Sequence, residues 1–64
     1  MQNIEIGKKL IDLRGEKSQS EVAEAVGITQ AALSMYERGE RVPRDNVKIK
    51  LANYYGVSVA ALFF

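Results

Sequence analysis

The chain has 64 residues, 47% of them hydrophobic, with no cysteine and no histidine. That length supports one small-cored domain, and without those two residue types there is no disulfide, no thiolate metal site and no ordinary general base. Nine basic residues against eight acidic leave a net charge of +1, so a grip on any polyanion has to come from local clusters rather than from overall charge.

Helical spacing dominates, and no alternating stretch is long enough to read as a strand. Ile6, Leu10 and Leu13 share one face of a first helix, which Asn3 can cap and Gly15 can end. Ser18, with Glu21 three positions on, forms a capping box for a second helix. Val22, Ala23 and Val26 make its inner face, and Gly27 follows it. Thr29 caps a third helix with Ala32, Leu33 and Tyr36 turned inward, ending at Gly39. Glu40 to Arg44, which contains the only proline, Pro43, reads as a loop. Asp45 or Asn46 caps a fourth helix carrying Val47, Leu51, Tyr54 and Tyr55, and Gly56 stops it. Ser58 caps a last short helix that runs into Leu62, Phe63 and Phe64. The expectation is an all-α fold of five short helices forming one domain over residues 1–64. The start, Met1 to Ile4, lacks the features of a secretory signal, and no run approaches the roughly 20 apolar residues that span a bilayer. A soluble, cytoplasmic protein is expected.

Ser18 to Gly39 carries the functional signal. Two helices crossing steeply through a short turn need a small residue at the crossing, which suits Ala23, and a residue tolerant of positive φ in the turn, which suits Gly27. Ile28 plugs the core from within that turn. Leu33 and Tyr36 then face the third helix inward and leave Thr29, Gln30, Ala31, Ser34, Met35 and Arg38 outside. A short helix with a small, polar outer face suits the DNA major groove, about 12 Å wide. Basic residues cluster at Lys8, Lys9 and Arg14, at Arg38, Arg41 and Arg44, and at Lys48 and Lys50.

The stretch S-Q-S-E-V-A-E-A-V-G-I-T-Q-A-A-L-S-M-Y-E-R-G, from Ser18 to Gly39, resembles the helix-turn-helix core of the Xre/Cro-repressor family. That family includes the lambdoid phage repressors and many small bacterial regulators. E-R-G-x-R-x-P, from Glu37 to Pro43, and L-A-x-x-Y-G-V-S, from Leu51 to Ser58, fit the same pattern. The resemblance implies a lambda-repressor-like domain with its helix-turn-helix at the second and third helices, encoded by a bacterium or a phage. It implies phosphate contacts from Gln19, Thr29, Arg38, Arg41 and Arg44, with Arg44 near the minor groove. Base contacts fall to Gln30, Ala31, Ser34 and Met35, Gln30 pairing with adenine and Ala31 touching a thymine methyl. Arg14 and Glu37 match a buried structural ion pair. The chain departs from the family at three points. The link from Arg14 to Ser18 is short, Lys17 stands where an apolar residue packs before the cap, and Glu40 stands where a lysine is common.

The apolar end of the chain suggests a homodimer through Tyr54, Tyr55, Leu62, Phe63 and Phe64, since two-fold pairs reading paired half-sites are usual for this motif. The leading expectation is a sequence-specific repressor of double-stranded DNA that blocks a promoter, with no cofactor, small-molecule ligand or membrane partner. The competing expectation is a protein-interaction module of the same fold, such as an antitoxin-type partner. An enzyme is not expected, because no His, Cys or glycine-rich phosphate loop is present to assemble a catalytic set.

Overall fold

The computed structural model describes residues 2–64, so Met1 of the expected domain lies outside the described residues. Five α-helices follow in chain order: α1 Gln2–Arg14, α2 Gln19–Val26, α3 Gln30–Glu37, α4 Asp45–Tyr55 and α5 Val59–Phe63. None of those described is long and apolar enough to cross a membrane.

The capping chemistry that the sequence announces sets most of the boundaries. Ser18, Thr29 and Ser58 each hold extended backbone and accept from the amide three residues on, at Glu21, Ala32 and Ala61, each at 3.0 Å. Such a cap contributes about 1 kcal/mol by satisfying a donor that the first turn leaves free. Gly27 closes α2 at φ 84°, and the amides of Gly27 and Ile28 both return to the Ala23 carbonyl. Any residue with a Cβ would resist that left-handed turn.

Three expected boundaries need correction. Asn3 lies inside α1 rather than at its cap. α3 ends at Glu37, with Arg38 as its C-cap, instead of running to Gly39. Neither Asp45 nor Asn46 caps α4: Arg44 holds the cap position without a side-chain bond, and Asp45 is the first helical residue. An acidic side chain there still meets the positive end of the helix.

One core joins all five helices, built from Leu10, Val22, Ala23, Val26, Leu33, Tyr36, Leu51, Ala52, Leu62 and Phe63. Leu10, Leu33 and Leu51 are fully buried, each contributing about 1.5–3 kcal/mol on burial. Leu13, expected among them, is 38% exposed instead. α3 packs against α1 and α2, whereas α5 packs against α1 and α4. Leu62 and Phe63, at 1% and 5% exposure, fill the chain's own core, which removes both from the expected dimer surface. Only Phe64 of that terminal trio remains outside, at 85% exposure.

Tyr55 is half-buried, and its hydroxyl is enclosed without a hydrogen-bond partner among the described residues. Burial, reinforced by the nearby Glu37 charge, pushes the phenol from 10.0 up to about 12. The folded state therefore keeps this proton after the unfolded chain has lost it. That contribution is intact below pH 10 and drains away between pH 10 and pH 12. Chemical-denaturation curves across that interval are expected to fall less steeply with pH for Tyr55→Phe than for the parent. Parallel curves would place the phenol in water.

Candidate nucleic-acid interface

The outer face of α3 begins where Thr29 caps it. Gln30 and Ala31 are exposed, Ser34 and Met35 are half-buried, and Arg38 is exposed at the far end. Together with Gln19 they line an open concavity of about 530 Å³. The inward stripe of Leu33, Tyr36 and Glu37 is buried, and it is this stripe that turns the other residues outward.

A buried carboxylate ties that helix to α1 and α2. Glu37, 5% exposed, accepts from Arg14 Nε at 2.7 Å and Nη2 at 3.1 Å, and from Gln19 Nε2 at 2.8 Å. The fork spreads charge over two parallel bonds. Its hydrogen bond to Glu37 raises the Arg14 guanidinium above its ordinary value. Arg14 Nη1 also donates to the Lys17 carbonyl at 2.7 Å, which pins the short link between α1 and α2. α1, α2 and α3 thus meet at one carboxylate. Lys17, in the place of the missing apolar residue, sets its ammonium 5.0 Å from the Tyr54 ring centroid and donates to the Tyr54 hydroxyl at 3.1 Å.

Three of the five expected phosphate contacts are engaged within the chain. Gln19 reaches Glu37, and Thr29 Oγ1 is occupied as a cap. Arg38 is turned onto its own chain: Nε and Nη2 donate to Glu40 at 3.0 and 3.1 Å, and Nη1 donates to Ser34 Oγ at 2.9 Å. Arg41 and Arg44 are exposed on either side of the buried Pro43. Of the expected dimer residues outside the core, Tyr54 and Tyr55 are half-buried and pack edge to face, with centroids 5.2 Å apart.

Sequence reasoning missed two contributors. The Arg38–Glu40 pairing escaped because residues two apart on a continuing helix do not face each other. It forms because α3 has already ended at Arg38. Gly7 is buried where α1 crosses α3: a Cβ there would lie 2.2 Å from the Glu37 carbonyl oxygen. A glycine inside a helix costs about 1 kcal/mol relative to alanine, and its presence at Gly7 was the available signal of a close approach.

Five helices, an α2–turn–α3 pair and an uncovered outer face on α3 define the class: the chain belongs to the Xre-like helix-turn-helix family of DNA-binding regulators, whose pattern matches residues 8–62. It is similar to the cryptic phage CTXphi transcriptional repressor RstR of Vibrio cholerae, at 39% identity over 56 residues, covering 84% of this chain. The chain spans 50% of that relative's length. No solved structure matches it significantly.

Proposed function

We propose that this chain represses transcription as a homodimer that seats α3 in the major groove of double-stranded DNA. The observation that carries the reading is the uncovered face of α3, from Gln30 to Arg38, held at a set angle by the Arg14–Glu37–Gln19 junction. Gln30 reads adenine through N6 and N7, Ala31 meets a thymine methyl, and Ser34 and Met35 follow one turn later. Ser34 Oγ accepts from Arg38, which leaves its own proton for a base acceptor. The same reasoning keeps a hydroxyl proton on Thr29 and a second amide hydrogen on Gln19 for phosphate. Arg41 and Arg44 supply charge, while Arg38 has to exchange its internal partner to do so. A repressor among its relatives supports the direction of regulation.

The dimer surface we infer differs from the one read from sequence and keeps only Phe64 of it. Phe64 at 85% exposure and Ile49 at 52% flank a hollow shared with Val59, Asp45 and Lys48. A two-fold copy seated there has to place its two α3 helices in successive major grooves, about 34 Å apart.

Selection from a pool of random duplexes tests the whole reading. The expected product is a palindromic consensus. Gln30→Ala should relax one position in each half-site and lose about 1–3 kcal/mol of discrimination there. A pool that enriches no sequence overturns the proposal. Pool binding indifferent to salt would speak against a phosphate-gripping face and for a protein-docking one.

A further inference from the structure

We propose that Glu40 is an affinity-setting residue: its carboxylate stands in for a DNA phosphate and holds Arg38 off the backbone. This deepens the DNA-binding reading and rests on it. The geometry is a two-pronged fork, Nε to Oε2 at 3.0 Å and Nη2 to Oε1 at 3.1 Å, the same arrangement that guanidinium offers a phosphate. The third nitrogen in play, Nη1, donates to Ser34 Oγ at 2.9 Å, so each of the three guanidinium nitrogens has a partner within the chain.

The backbone beneath the fork is built in advance. The Glu40 amide donates to the Met35 carbonyl at 3.0 Å, and the Gly39 amide donates to the Tyr36 carbonyl at 3.2 Å. Those two bonds close the end of α3 and fix the Glu40 backbone one residue beyond the left-handed Gly39. Both side chains remain more than half exposed, 57% for Arg38 and 56% for Glu40. An exposed pair is weak on its own and exchanges readily. It therefore sets how strongly the chain holds phosphate without adding much to the fold. Because phosphate contacts carry no sequence information, Glu40 lowers the general grip and leaves target choice to the base-facing residues.

The test is a double-mutant cycle of Glu40→Gln and Arg38→Gln, reading affinity for a short duplex of random sequence against salt concentration. Both sites are exposed, so equal melting temperatures are expected and confirm that folding is untouched. Glu40→Gln is expected to bind about three- to tenfold tighter at low salt, with a slope of log affinity against log salt steeper by about 0.9, the signature of one more phosphate contact. Adding Arg38→Gln to Glu40→Gln should erase the gain, and Arg38→Gln alone, which removes a cation and leaves the Glu40 carboxylate unpaired, should weaken binding. An equal gain from Glu40→Gln with and without Arg38 overturns the latch in favour of plain charge repulsion. No gain at all, with the parent still binding, also overturns it. Failure of every variant and of the parent to bind DNA instead refutes the underlying reading, and the latch with it.

Discussion

Gly7→Ala is expected to lower the melting midpoint by about 10–20 °C, although it adds a single methyl group to a helix. The added Cβ would lie 2.2 Å from the Glu37 carbonyl oxygen, 2.8 Å from its carbon and 3.1 Å from the Tyr36 oxygen. All three are backbone atoms of the last turn of α3, and no rotamer change can relieve them. The two helices have to part by about 1 Å, which loosens the α1–α3 packing in a core too small to redistribute the strain. Overpacking of this kind costs about 3 kcal/mol or more, and the better helix propensity of alanine returns only about 1. A domain this short has a total stability of about 3–5 kcal/mol, so the variant sits near the edge of folding. Gly27→Ala is the informative comparison. Nothing lies within 4 Å of a Cβ at that position, and the penalty is purely the left-handed backbone at φ 84°, about 1–2 kcal/mol. Thermal melts of the two variants separate steric from conformational cost. If Gly7→Ala melts with the parent, α1 and α3 do not cross this closely and the junction at Glu37 is misplaced.

The fold was largely legible because its signals are local. The Ser18, Thr29 and Ser58 caps and the Gly15, Gly27 and Gly56 stops are settled within a few residues of chain, and each lies where the sequence placed it. The ends that went astray are the starts of α1 and α4 and the finish of α3, which stops at Glu37 rather than Gly39. Asn3 looks like a cap but sits inside α1, and Arg44 begins α4 with no side-chain bond. Long-range placement was less legible. The periodicity of α1 put Leu13 on the same face as Leu10, yet one is 38% exposed and the other fully buried. The apolar terminus posed the same problem: exposure of Phe64 and burial of Phe63 depend on α5 docking against α1 and α4, which no local pattern encodes. On the interface side, the residues of the α3 face follow directly from helical geometry. The partners of Arg38 and Gln19 do not, because they depend on where α3 stops and on which chain segment crosses beside it.

Glu37→Ala is expected to destabilise the chain by about 3 kcal/mol, at the lower end of the range for breaking a buried pair because Arg14 keeps 19% of its side chain in water. The loss comes less from the attraction given up than from what is left behind: an arginine fork and a Gln19 amide held in a part-buried junction without their acceptor. Arg14→Met combined with Glu37→Met should recover most of the stability, since an apolar pair of similar length fills the space without an unmet charge. DNA affinity is expected to behave differently. The apolar pair packs α1 against α3 but gives Gln19 nothing to bond, so the register between α2 and α3 loosens while the fold survives. Denaturation curves and duplex binding, measured on the parent, the single variant and the double variant, decide whether the carboxylate positions the reading helix or only stabilises it. Recovery of both properties in the double variant makes the junction purely structural. Recovery of stability alone, with affinity still reduced, makes Glu37 the residue that aims Gln30 and Ser34 at the bases from inside the protein.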